Sequence, residues 1–299
     1  MTAQCLESLL QMAENSFRIV VIDNGSRDGS VEYLRPKFPQ VDFIENSRNV
    51  GFAAGCNIGV RRALEENSEF VLLVNNDTIV DPAMLSNLLS VAAEYPRAGI
   101  VSPKIFYFDR PELLWWAGGH YSLWTGVPSH IGRKKVDNGA YDDLSTIDWA
   151  TGCVMLMRCS ALRDVGLFDE RIFGNGEDLD LSLRMRLAGW EIRYAPLSKL
   201  WHKEGIDYRR NVGEHVRKFT NTRNILLVMH KHSRWAHRLI FWPCFTFWYL
   251  PLTILKCLSK GDGPSAIAAV AGVRAYFSML KNPETQVLPP ELARSSESN

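Results

Sequence analysis

Residues 70–78 read FVLLVNNDT, an apolar run that stops abruptly on Asn75-Asn76-Asp77-Thr78. A short apolar stretch bounded by turn formers predicts a buried strand over Phe70–Val74. In open parallel sheets, ligands bind beyond the carboxyl ends of the strands. An aspartate there, beside two amides, suits a hard cation that also holds phosphate oxygens. An Asx turn leading to Asp81-Pro82 explains the same residues without any ligand.

The pattern repeats outward from this point. Upstream, Arg18–Ile22 (RIVVI) is a β-branched run ending at Asp23-Asn24-Gly25-Ser26. A short helix fits Gly29–Leu34, a second strand Val41–Glu45 and a helix Phe52–Glu66. Downstream, a helix is expected over Pro82–Tyr95, with proline at its first position, and a strand over Gly99–Ser102. Residues 106–148 read as long loops or a hairpin. Regular structure resumes over 146–158, followed by a helix at Asp178–Ala188 and a strand at Glu191–Tyr194. Strands alternating with helices predict an α/β fold, with right-handed crossovers and a mostly parallel sheet flanked by helices. The first residues form an amphipathic helix with Cys5, Leu6, Leu9, Leu10 and Met12 on one side, and lack the pattern of a signal peptide.

Three further constellations carry chemistry. In Asp23–Ser30 (DNGSRDGS), a carboxylate at a strand end could accept a hydrogen bond from a nucleobase imide; a polar turn explains it as well. Gly174–Asp180 (GNGEDLD) opens a helix. Asn175 as cap and Asp178 in the first turn would account for part of it. Three carboxylates in four positions exceed what capping requires, and glycines before them suit a substrate-facing loop. His202, after the strand EIRYAP, is one of seven histidines and is not distinguished by its own surroundings. Trp115, Trp116, Trp124 and Trp149 fit either core packing or stacking on sugar rings.

Composition narrows the setting. The formal net charge is +1, giving no field that would recruit nucleic acid. The six cysteines are scattered, without metal-ligand spacing, which fits a reducing compartment. Leu239–Leu255 (LIFWPCFTFWYLPLTIL) carries no charge and is flanked by Arg234, Arg238, Lys256 and Lys260. A span needs about 20 apolar residues, and Pro243 and Pro251 interrupt this run. An interfacial or re-entrant helical segment with basic and aromatic anchors is therefore expected on a membrane surface, a buried helical subdomain being the other reading.

Taken in order, DNGSRDGS, SRNVGFAAGCNIG, LLVNNDT, GCVMLMR, GNGEDLDLSLRMRLAGW and the later histidine resemble the inverting family-2 glycosyltransferases, most closely their rhamnosyltransferase-like branch. The resemblance implies a GT-A fold over residues 1–225, with a nucleotide half to about 105 and an acceptor half from about 106. A helical membrane-associating segment (226–285) and a disordered tail (286–299) would follow. It further implies that Asp23 contacts the nucleobase with Arg48 nearby, and that Asn76 lies near the ribose. Asp77 and His202 would hold Mg²⁺ or Mn²⁺, and Asp178 would be the general base with Glu177 supporting it or the acceptor. Arg223-Asn224 matches a late pair to which no role is assigned. The implied partners are a nucleoside-diphosphate sugar and a saccharide or lipid-linked acceptor, at the cytoplasmic face of the plasma membrane. Family members usually begin with an apolar strand ending in an Asn-Tyr-Asn-like turn, ahead of the part matched by CLESLL. Upstream coding sequence is expected to supply it. Two alternatives stay open: a truncated, inactive homologue acting as a binding scaffold, and nucleotidyl transfer, for which the sequence lacks a glycine-rich basic loop.

Overall fold

The computed structural model describes residues 1–14, 16–203 and 213–282. The expected disordered tail, 286–299, lies outside the described residues. Two compact units divide the chain. One comprises Met1–His120, Ser129–Phe168 and Leu181–Glu204; the other holds Tyr121–Pro128, Asp169–Asp180 and the described residues from 213 onward.

The first unit is α/β; the hairpin at 119–130 and the helix at 177–187 each belong partly to the other unit. Helix α1 (Thr2–Leu10) precedes β1 (Val20–Asp23), α2 (Ser30–Leu34), β2 (Asp42–Glu45), α3 (Phe52–Glu65), β3 (Phe70–Val74) and β4 (Thr78–Val80). Then come α4 (Met84–Glu94), β5 (Ala98–Tyr107), β6 (Leu114–Trp116), a hairpin of β7 (Gly119–Ser122) and β8 (Val127–His130), and β9 (Ser145–Thr146). β10 (Val154–Arg158), α5 (Cys159–Val165), α6 (Glu177–Leu187) and β11 (Glu191–His202) complete the series. The apolar runs read from the sequence therefore do form strands, and the alternation with helices holds.

The central sheet has the order β3-β10-β5-β11-β4, with β6 on β5 and β9 on β11; β1 and β2 form a separate parallel pair. β5 and β11 pair in parallel, while β10 runs antiparallel to both β3 and β5. It follows that β3, β5 and β11 all point the same way, with β10 inserted in reverse after the long excursion that follows β5. β4 is likewise antiparallel to β11. These reversals are the main departure from the expected simple crossovers.

Several boundaries moved for local reasons. The Asp81 carboxylate accepts from the Ala83 amide at 2.8 Å, and the resulting turn delays α4 to Met84 rather than Pro82. β5 is longer than Gly99–Ser102 and all ten of its residues are buried. β11 also continues past Tyr194. Its register against β5 shifts between Ala195 and Lys199, around Pro196, which cannot donate to the ladder, and pairing then resumes to His202. On α1, Cys5, Leu6 and Leu9 are buried as expected, but Leu10 is exposed. Lys104 is wholly buried on β5 and pairs with Asp137 at 2.9 Å and Asp142 at 2.5 Å, which fastens the 137–142 loop.

The second unit is helical. Helix Glu214–His232 packs on helix Gly263–Lys281. Between them, helices Trp235–Cys244 and Leu250–Leu258 join through a π-helical turn, Phe245–Tyr249. Pro243 and Pro251 do not break the run as the sequence suggested: Pro243 lies inside helix Trp235–Cys244, and Pro251 stands at the start of Leu250–Leu258, directly after the π-helical turn, where a proline is best tolerated. The 24-residue stretch Trp235–Leu258 is long and apolar enough to cross a membrane, with only 11% of its apolar window buried.

Candidate active site

The end of β3 and the end of β11 meet at Asp77. Register pairs His202 with Thr78, and the Lys203 amide donates to the Asp77 carbonyl at 2.9 Å. This brings His202 Nε2 within 3.2 Å of Asp77 Oδ2. Both side chains are largely buried, and Asp77 Oδ1 and His202 Nδ1 have no hydrogen-bond partner. A buried carboxylate oxygen without a partner is costly, and a bound cation would satisfy it. With phosphate and water in the remaining positions, one carboxylate plus one imidazole is a donor set that Mn²⁺ accepts, whereas Mg²⁺ would take the carboxylate in preference to the imidazole. Among the described residues there is no cluster of three or more such ligands. Asn76 is exposed and donates to Thr2 Oγ1 at 3.0 Å, on the first turn of α1.

Asp23, at the end of β1, accepts from the amides of Gly25 and Ser26 through Oδ2, at 3.1 and 3.0 Å. That is the polar turn anticipated as the plain reading of this motif. The turn lies directly against Arg48: Gly25 has φ +78, and a Cβ there would sit 2.7 Å from the Arg48 carbonyl carbon. Asn24 bonds Asn46, Asn49, Val50 and Gly51, tying the two loops together. The turn that follows Asp23 thus abuts the Arg48 backbone.

Glu177 and Asp178 open α6, with Asp180 in the same first turn. Glu177 is buried and its Oε2 has no hydrogen-bond partner. Burial, and then the adjacent Asp178 charge, push the Glu177 carboxyl well above its ordinary range. Asp178 is half-buried, and its Oδ1 accepts from the Leu179 amide at 2.8 Å. The raised Glu177 carboxyl favours its protonated form, while Asp178 stands in the first turn of the helix, where negative charge is favoured. Asn175 lies one residue too early to cap the helix and turns its amide to Asn221 Oδ1 at 3.0 Å.

Trp115, Trp116 and Trp149 are core residues. Trp116 packs edge-on against Trp149 and His130, with centroids 4.7 and 4.9 Å apart. Trp115 packs edge-on against His202 at 4.6 Å, a backing for that ring that has no signal in residue spacing. Trp124 is exposed and lies edge-on to His237. A second network was also missed: Asp180, fully buried, pairs with Lys231 at 2.6 Å and His232 at 2.8 Å, and Lys231 also reaches Asp169 at 2.6 Å.

The Asp77–His202 pair stands at the strand ends of an α/β sheet whose fold is matched by solved structures. The solved structure of GalNAc-T7 with UDP, GalNAc and Mn²⁺ aligns with a TM-score of 0.58 at 14% identity, covering 75% of this chain and 44% of that one. The mannosyltransferase PcManGT from Pyrobaculum calidifontis, in complex with GDP-Man and Mn²⁺, aligns at 0.52 and 16% identity, covering 93% and 74%. The model of glycosyl transferase family 2 matches residues 1–166, and the chain belongs to that family. It is 26% identical over 258 residues to the N-acetylglucosaminyl-diphospho-decaprenol L-rhamnosyltransferase of Mycobacterium tuberculosis (strain ATCC 25618 / H37Rv), covering 79% of this chain and 82% of the relative. The family and the likeness to rhamnosyltransferases, both drawn from the motif order, are borne out.

Proposed function

We propose that this glycosyltransferase moves a sugar, rhamnose in the first instance, from a nucleoside-diphosphate donor to a hydroxyl of a lipid-linked saccharide, inverting the anomeric centre. The observation that carries this reading is the Asp77–His202 pair at the strand ends, with its unpartnered buried carboxylate oxygen. The 26% identity to a decaprenol-linked rhamnosyltransferase supports the sugar and the acceptor class.

Asp178 takes the proton from the acceptor hydroxyl as that oxygen bonds to the anomeric carbon. The bond from that carbon to the diphosphate oxygen breaks, and the nucleoside diphosphate leaves with the electron pair. Glu177, held neutral, can donate a hydrogen bond to the acceptor, and its lack of charge leaves Asp178 as the single anion of the pair. Asp23 and Arg48 bind the base side of the donor, and Asn76 lies towards the ribose. Asp77 and His202 would hold Mg²⁺ or Mn²⁺, which supplies neutralisation of the diphosphate charge.

The exposed apolar surface of the helical unit, including Trp235, Leu239, Phe247, Trp248 and Leu255, fits a lipid interface, with Arg234, Arg238, Lys256 and Lys260 as headgroup anchors. This surface supports our reading of an enzyme that works at the cytoplasmic face of the plasma membrane, within cell-surface polysaccharide synthesis. The test is a transfer screen: UDP-, GDP- and thymidine-diphospho-sugars with Mn²⁺ and polyprenyl-diphospho-N-acetylglucosamine. Transfer from one donor supports the proposal. Failure of every nucleoside diphosphate to bind in calorimetry with Mn²⁺ would favour a binding scaffold instead.

A further inference from the structure

Helix Glu214–His232 presents Asn221, Arg223 and Asn224 to the loop that leads into Glu177-Asp178. The Asn224 side-chain amide spends both of its N–H groups there, donating to the Phe173 carbonyl at 3.1 Å and to the Asn175 carbonyl at 2.6 Å. Its Oδ1 accepts from Arg223 Nε at 2.9 Å, and Arg223 Nη2 donates to the same Phe173 carbonyl at 3.1 Å. Reversing the amide would set its oxygen against two carbonyls and its nitrogen against a guanidinium, so Arg223 fixes which way Asn224 points. Both residues are buried, Arg223 completely. One turn back on the helix, Asn221 holds the Asn175 side chain. Gly176 follows with φ +98, packed near Asn224 and Val228, and its carbonyl accepts the first helical bond of α6 from Asp180. Further along the same helix, Lys231 and His232 grip Asp180.

We infer that Arg223-Asn224 is a positioning pair that clamps residues 173–176 and so fixes where the Glu177-Asp178 carboxylates stand. The inference rests on the proposed role of Asp178. A buried guanidinium and a buried amide spent on backbone carbonyls are costly unless their donors are used, and here they fasten a loop with two positive-φ glycines, Gly174 and Gly176. Asparagine is the residue suited to this place, since its short side chain offers two donors and one acceptor in a plane. Lysine could not replace Arg223, because it lacks the rigid fork that serves Asn224 and Phe173 together.

The test uses Asn224→Asp, which keeps the volume but replaces both donors by an acceptor, and the milder Asn221→Ala at a half-buried position. With thymidine-diphospho-rhamnose and polyprenyl-diphospho-N-acetylglucosamine, Asn224→Asp should lower kcat about a hundredfold, the scale expected for a displaced catalytic group. Donor KM should stay within about twofold. Amide hydrogen exchange over residues 173–179 should rise about tenfold, an arm that needs no substrate. Asn221→Ala should give the same pattern at severalfold size, and it decides the matter if Asn224→Asp does not fold. Unchanged exchange over 173–179, or raised exchange with unchanged kcat, overturns the clamp. Asp178→Asn is assayed alongside: if it turns over normally the base assignment fails, whereas an inactive Asp178→Asn beside a fully active Asn224→Asp sinks the clamp alone.

Discussion

His202 Nε2 lies 3.2 Å from Asp77 Oδ2, although 125 positions separate the two in the chain. The contact depends on the last residues of β11, which exist as strand only because pairing resumes after the shift around Pro196. If the pair holds a divalent ion, both partners matter to nucleotide binding only when the ion is present. Asp77→Asn and His202→Ala should each weaken Mn²⁺-dependent binding of a nucleoside diphosphate by at least about tenfold in calorimetry. Equal affinity in the wild type and both variants would remove the pair from metal binding.

Asp178→Asn deletes the proposed base and changes little else. Transfer should fall by about a thousandfold, within the range a positioned base contributes, while nucleotide binding is retained. Loss of both together would point to misfolding or to a binding role.

Glu177 sets a pH dependence with a definite sign. Burial, with the neighbouring Asp178 charge, pushes its carboxyl up to about 8, so the folded state keeps a proton that the unfolded chain releases in the ordinary carboxylate range. Between those limits the folded state binds more protons, and stability falls as pH rises. Glu177→Gln should flatten that decline, read from urea midpoints across the interval. An unchanged slope would mean that the buried carboxyl is not the group that titrates.

Asp169 behaves oppositely. Burial pushes its carboxyl up, but hydrogen bonds from Arg171 and Lys231, with the Lys231 charge, outweigh this and the net shift is downward. Its contribution is present above the ordinary carboxylate range and is lost as pH falls through the depressed value. Lys231→Met strips a cation from both Asp169 and the fully buried Asp180. It should cost about 3 kcal/mol near neutral pH and leave a shallower acid limb, measured by denaturant titration.

Phe247 and Trp248 are 77% and 71% exposed on the helical unit. Replacing both by serine should weaken sedimentation with anionic vesicles by about tenfold or more, without altering nucleotide binding. Unchanged vesicle binding would return this surface to some other partner.

What the sequence revealed was local. The ends of β1 and β3 were legible because an apolar run meets a turn cluster within a few residues, and Asp23 and Asp77 were placed accordingly. The start of α6 was legible from its glycines and crowded acids. His202 was singled out by family resemblance alone, since a lone histidine carries no spacing signal. The reversal of β10, the Trp115 backing of His202 and the Asp180–Lys231–His232 network all rest on partners distant in the chain. No periodicity reports such contacts. Leu10 fell on the expected apolar side of α1 and is nonetheless exposed, because helical phase says which side a residue takes but not how far the covering neighbour extends.

The insertion of β10 between β3 and β5 also bears on biosynthesis. During translation neither β3 nor β5 can find its central neighbour until the chain through Arg158 has left the ribosome. Closing that gap requires contacts of long sequence separation, which slow folding and keep apolar strand edges exposed meanwhile. A nascent chain arrested before Val154 should therefore lean on chaperones, and the cell's capacity to shield it would limit how fast this enzyme can be made.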